Sequence, residues 1–116
     1  MNAAQSQEPA RTSGASPEVT VIIVSYNTRD LTVRAVETLL ANAGDVAMRV
    51  VVFDNASSDG SAAAVAAAFP EIETIAHPEN IGFAAANNLV AETVTTPWLC
   101  LLNPDTETHP GAIANL

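Results

Sequence analysis

The run Val19-Thr20-Val21-Ile22-Ile23-Val24 constrains the fold more than any other feature of the chain. Every side chain in it is β-branched, it is too short for a buried helix, and polar residues bound it, so it reads as a strand covered on both faces. Such a strand needs helices packed above and below it, and the sequence supplies them. Asn27 or Thr28 is placed to cap a helix over about Arg29 to Ala43, with Asp30 at the favourable end of its dipole. Val36, Leu39, Leu40 and Ala43 share one face of it, Arg34 is within i, i+4 reach of Asp30, and Gly44 and Asp45 close it. A second β-branched run, Val50 to Phe53, ends on Asp54. The polar loop Asn55 to Gly60 follows, and Ser61 is placed to cap an alanine-rich helix that runs to Phe69 and stops at Pro70. Ile72 to Ala76 reads as a third strand, Gly82 to Thr93 as a third helix and Trp98 to Leu102 as a fourth strand. Pro110 is placed to open a further helix. This β-α-β-α-β-α-β order predicts right-handed crossovers and an α/β fold, a mostly parallel sheet with helices on both faces.

Residues 1–17 do not join this pattern. They carry almost no large apolar side chains, and Glu8 and Arg11 interrupt the place where the apolar core of a secretory signal would lie. The segment buries too little to offset an ordering cost of ~1–2 kcal/mol per residue, so it is expected to be a disordered tail preceding a folded part over 18–116.

Composition then removes several functional classes. Thirteen acidic residues stand against four arginines, with no lysine, for a formal net charge of −9. A nucleic-acid binder needs a basic footprint and a polybasic anchor needs a cluster of cations, so neither is expected. One cysteine leaves no internal disulfide framework and no cysteine-based zinc site. No apolar run approaches the ~20 residues of a membrane span. Aromatic residues make up 4% of the chain, so the core must be aliphatic and rich in alanine. The expectation is an acidic, soluble, cytoplasmic domain.

In open parallel sheets ligands bind outside the carboxyl ends of the strands. Strand one ends in Ser25-Tyr26-Asn27, strand two in Asp54-Asn55-Ala56-Ser57-Ser58-Asp59-Gly60, and strand four in Asn103-Pro104-Asp105. Parallel strands share a direction, so these polar ends should meet on one rim. The first β-α turn, Ser25 to Asp30, contains no glycine, which removes the dinucleotide fingerprint and the P-loop. Carboxylates do not bind phosphate directly, but they hold a hard divalent cation, Mg²⁺ or Mn²⁺, that bridges to it. A nucleoside-diphosphate ligand fits that chemistry. Asp54 is placed either for this or to accept hydrogen bonds from a base or ribose.

These residues resemble those of a known family. Val24-Ser25-Tyr26-Asn27, Val52 through Ser61, Asn80-Ile81-Gly82-Phe83-Ala84-Ala85-Ala86-Asn87-Asn88 and Leu101-Leu102-Asn103-Pro104-Asp105 are similar, in order and spacing, to the nucleotide-binding half of family 2 glycosyltransferases. The nearest likeness is to the rhamnosyltransferase-like branch, with Asn-Pro-Asp where Asp-x-Asp is usual. The resemblance covers about residues 19–116. It implies a GT-A fold and inverting transfer of a sugar from a dTDP- or UDP-sugar donor to a glycan or lipid-linked acceptor of the cell envelope. By matched position, Ser25, Tyr26 and Asn27 would line the base and ribose pocket and Asp54 would bind the base. Asn55 and Asp59 would lie nearby, Asn88 would face the donor, and Asp105, beside Asn103, would coordinate a divalent cation. A cytoplasmic location follows, with peripheral association at the inner face of the membrane as the family's alternative.

The sequence also departs from the family. Asn103 removes one acid from the metal corner, and Val90 stands where a glycine is usual. The family's general base and acceptor-binding half lie beyond its Asp-x-Asp region and have no counterpart in this sequence. The expectation is therefore a truncated GT-A domain without turnover on its own, whose fourth strand exposes Leu99, Cys100, Leu101 and Leu102 at an edge prone to self-association.

Plainer readings stand beside these. Asp54 alone would be a turn or capping acid, Asp59-Gly60 simple loop chemistry, and Asn103-Pro104-Asp105 a strand-ending turn. Of Asn87 and Asn88, both poor helix formers, Asn88 is the one expected to face the site. His77 and His109 read as solvated loop residues, and Cys100 and Trp98 as packing. Three functions remain in play: a glycosyltransferase seen through its donor half, a module that binds a nucleotide-sugar without turnover, and a nucleotidyltransferase. The last is disfavoured by the missing glycine-rich or basic phosphate loop.

Overall fold

The computed structural model describes residues 16–115, so the tail expected over 1–17 lies outside the described residues except for Ser16 and Pro17. The elements follow the order β1 (Val19–Ser25), α1 (Arg29–Ala41), β2 (Met48–Asn55), α2 (Ser61–Ala68), β3 (Glu73–His77), α3 (Phe83–Ala91) and β4 (Trp98–Leu102). The four strands form one sheet in the order β3-β2-β1-β4, and every neighbouring pair is parallel. The expected α/β architecture is thus present, with β4 on the open side of β1.

Period-two alternation divides the central strands between two cores. Val19, Val21, Ile23, Val50 and Val52 point to one face, where Ala35, Val36 and Leu39 of α1 and Val65 of α2 meet them. Ile22, Val24, Val51 and Phe53 point to the other, beneath Ala86 and Val90 of α3. All of β1 is buried. Each fully buried aliphatic or phenyl side chain there contributes about 1.5–3 kcal/mol relative to exposure. Thr20, a buried polar residue of that strand, has its hydroxyl paired with the Thr96 hydroxyl at 2.8 Å. The small side chains of α2, seven residues of which are Ala or Ser around Val65, let that helix sit close to the sheet.

Local expectations fail where a distant partner intervenes. α1 ends at Ala41, two residues early, because Asn42 turns its side chain back. The Asn42 amide Nδ2 donates to the carbonyls of Thr38 (3.0 Å) and Thr108 (2.9 Å). Neither Asn27 nor Thr28 caps α1 with its side chain, and Gly60, at φ +81°, rather than Ser61 occupies the cap position of α2. Arg34 pairs with Glu107 at 3.6 Å, while Asp30 pairs with Arg29. No helix opens at Pro110 among the described residues. Gly111 is left-handed (φ +82°) and residues 110–115 form turns anchored by buried Ile113. Trp98, expected to pack, is 72% exposed on β4, an edge strand of the sheet among the described residues. Among the described residues no helix is long and apolar enough to cross a membrane.

Candidate functional site

The register fixes the rim. Ser25 lies opposite Asp54 across β1 and β2, and Ile23 lies opposite Leu102 across β1 and β4. The segments that follow, Tyr26-Asn27, Asn55 to Gly60 and Asn103 to Asp105, therefore leave the sheet at the same end.

The first two segments are sewn together. The Asn27 backbone, left-handed at φ +52°, donates its N–H to the Ser57 hydroxyl at 2.8 Å. The Asn27 side-chain oxygen accepts from the Ser58 N–H at 2.8 Å. Asp54 is 3% exposed, and its carboxylate accepts the Ser57 N–H (3.0 Å) on one oxygen and the Ser57 hydroxyl (2.6 Å) on the other. Ala56, at φ +63°, makes that tight return possible; a left-handed alanine costs about 1–2 kcal/mol. The loop holds this strain because the hydrogen bonds around it oppose its release.

Asp59 joins two helix N-termini. One of its carboxylate oxygens accepts the Arg29 N–H at 3.0 Å, and the other accepts the Ser61 N–H at 3.0 Å and the Ser61 hydroxyl. It thus supplies, from across the rim, the caps that Thr28 and Ser61 do not. The Ser61 hydroxyl first, with lesser help from the backbone N–H groups of Arg29, Ser61 and Asp59 itself, holds the Asp59 carboxyl below the usual carboxylate range, against the opposing effect of desolvation.

Other expected residues serve as internal supports. The Ser25 hydroxyl is buried and lies 3.0 Å from the Thr32 hydroxyl and 3.2 Å from that of Thr28. Its side chain is turned inward under the rim. Asn55 accepts the Ile81 N–H (2.9 Å) and donates to the Gly82 carbonyl (3.1 Å), which ties β2 to the start of α3. Asn87 is the buried member of its pair and donates to the Phe83 carbonyl at 3.1 Å, whereas Asn88 is exposed. Tyr26 is 51% exposed at the end of β1. His77, expected in a solvated loop, ends β3 with its ring stacked on Phe53 at 5.3 Å. Cys100 packs against the core, and its burial raises the thiol pKa. Ser57, which the sequence reading singled out for no role, is the hub of the rim; its only signal was its place three residues after a strand-ending Asp.

The Asp105 corner is built differently. Thr106 returns its N–H (3.2 Å) and hydroxyl (2.7 Å) to the Asn103 carbonyl, closing a turn over Pro104 that leaves Asp105 exposed. Asp105 takes part in none of the ion pairs among the described residues. No group of three or more His, Cys, Asp or Glu among them is arranged to hold a metal unaided. A single free carboxylate fits a Mg²⁺- or Mn²⁺-type cation that is bound jointly with a ligand's phosphates.

The same architecture occurs in a solved mannosyltransferase, PcManGT from Pyrobaculum calidifontis, in complex with GDP-Man and Mn²⁺; it superposes with a TM-score of 0.76 at 25% identity over 97% of this chain. Topology and structural likeness together thus define a GT-A-like α/β domain. The chain belongs to glycosyl transferase family 2, whose model matches residues 20–116. It is 35% identical over 101 residues to the succinoglycan biosynthesis protein ExoO of Rhizobium meliloti, and 33% identical over 108 residues to ExoU of the same strain. These alignments cover 86% and 90% of this chain but 29% and 31% of the two relatives. The chain likewise spans 34% of the mannosyltransferase.

Proposed function

We propose that this chain is the donor-binding part of an inverting glycosyltransferase that transfers a sugar from a nucleoside-diphosphate-sugar to an envelope glycan or lipid-linked acceptor. The observation that carries this reading is the convergence of three polar strand ends on one rim, with Asp54 and Asp59 held by hydrogen bonds and Asp105 exposed and in no ion pair among the described residues. Tyr26, Asn27 and Asp54 would take the base and ribose, with Ser25, Asn55 and Asp59 supporting them from within. Asn88 and Asn103 would face the donor. A divalent cation would rest on Asp105 and, when bound with the donor, would supply Lewis-acid neutralisation of the departing diphosphate. A transferase also needs a base to deprotonate the acceptor hydroxyl, a role that none of these motifs supplies.

The relatives' names, succinoglycan biosynthesis proteins, support a glycan product, and the mannosyltransferase's GDP-Man keeps GDP-sugars in play beside dTDP- and UDP-sugars. The rhamnosyltransferase-like assignment rests on Asn103-Pro104-Asp105 alone. A cytoplasmic location, peripheral to the membrane, rests on the family resemblance.

Calorimetric titration of UDP, dTDP and GDP into the chain, with and without Mn²⁺, tests the reading. Metal-dependent binding that Asp105→Ala abolishes is the expected result, and the base that binds most tightly names the donor class. A folded chain that binds none of the three contradicts it.

A further inference from the structure

We infer that Ser57 is a positioning residue that fixes Asp54 in the orientation needed to read the nucleoside of the donor. The inference rests on the reading of the rim as a donor site. Asp54 is almost wholly buried at the end of β2, and among the described residues its only hydrogen-bond donors are the N–H and the hydroxyl of Ser57. One residue therefore holds both carboxylate oxygens. Its hydroxyl is also the acceptor for the Asn27 N–H, so a single oxygen links the loop after β1 to the acid after β2. The relay runs from Asn27 N–H to Ser57 Oγ–H to Asp54 Oδ1; Asn27 and Ser57 sit in the two loops that leave the sheet together, and Asp54 near the end of β2.

Removing the hydroxyl takes a partner from a buried carboxylate and from a backbone N–H at once. The carboxylate then keeps one bond of two and is free to rotate away from the rim. Nothing in this relay touches the Asp105 turn, so recognition of the nucleoside should weaken while recognition of the diphosphate persists.

The test is a double-mutant cycle on the full chain, read by calorimetry with UDP, dTDP, GDP and inorganic pyrophosphate in Mn²⁺. Ser57→Ala should weaken the best nucleoside diphosphate about tenfold, the scale of one hydrogen bond to a charged group. It should leave pyrophosphate binding unchanged, and Ser57→Thr should restore most of the affinity. Combined with Asp54→Asn, Ser57→Ala should cost nothing further, because the serine acts through the acid. Ser57→Cys carries the same cycle if circular dichroism shows that the alanine variant does not fold. Equal nucleotide binding by wild type and Ser57→Ala, equal weakening of pyrophosphate, or multiplying effects in the double variant would each overturn the inference while leaving the donor site standing. Wild-type chain that binds no nucleotide overturns the donor reading, and this inference with it.

Discussion

The two flanks of β1 are built on opposite terms. On the β2 side, seven register pairs run from Val19↔Met48 to Ser25↔Asp54, and the loops beyond are joined through Asn27, Ser57, Ser58 and Asp59. On the β4 side, five pairs stop at Ile23↔Leu102, and Trp98, Leu99 and Leu101 remain open to solvent. The segment beyond β4 is held to α1 chiefly by the Thr108 N–H on the Thr38 hydroxyl (2.9 Å), the Asn42 amide and the Arg34–Glu107 pair. The difference separates two jobs within one rim. On the proposed reading, the wall assigned to the nucleoside is set in advance by hydrogen bonds, while the Asp105 carboxylate, assigned to the cation, takes part in no ion pair among the described residues.

The largest expected effect breaks the comparison at the sheet itself. Phe53→Ala, a fully buried side chain of β2, should cost about 3–5 kcal/mol in urea unfolding. Leu101→Ala on β4, 53% exposed, should cost less than about 1 kcal/mol. Leu101→Lys should reduce self-association in sedimentation, because a charge on an open edge blocks strand addition.

Next comes the acid that joins α1 and α2. The folded-state pKa of Asp59 is depressed, so its stabilising contribution is complete above the unfolded value of about 3.9 and is lost as pH falls through the folded value. Asp59→Asn should lower the urea midpoint at neutral pH and flatten its fall on acidification below about pH 4. An unchanged acid limb would remove Asp59 from the account.

Smaller effects sharpen the β2 side. Arg49 grips Glu73 with two bonds, at 2.7 and 2.9 Å, and reaches the Thr93 hydroxyl at 3.0 Å, linking β2, β3 and the end of α3. The bonds to Glu73 raise the Arg49 pKa against the opposing effect of burial. Arg49→Lys, which loses the planar fork, should cost about 0.5–1 kcal/mol. Ala56→Gly relieves a left-handed alanine but adds freedom to the unfolded chain, so a net gain of up to about 1 kcal/mol is expected in the same assay.

How far the sequence revealed all this depends on the range of the interactions involved. Trp98 to Leu102 is bounded as the pattern predicts, and β1 differs by one residue, because apolar runs between polar residues and prolines are local signals. The strand ends that form the rim were equally legible, since parallel topology alone brings them together. The capping of α1 by Asp59, thirty residues away, was not, and neither was the Arg34–Glu107 pair; both depend on contacts between loops that no local periodicity encodes. Pro110 carried a genuine helix-start signal, yet Gly111 takes a left-handed conformation and Ile113 is drawn into the core. Trp98 was misjudged for a related reason: hydrophobicity says that a side chain favours cover, not that cover is there.

The most direct test of the central claim is a set of two-dimensional amide NMR spectra of the chain with UDP, dTDP or GDP, titrated with Mn²⁺ in place of Mg²⁺. The account predicts nucleotide-induced shifts at Tyr26, Asn27 and Ser57, with paramagnetic broadening centred on Asn103 to Thr106 that appears only when nucleotide is present. Shifts and broadening centred on another acidic surface, such as Glu71 or Glu92, would contradict it.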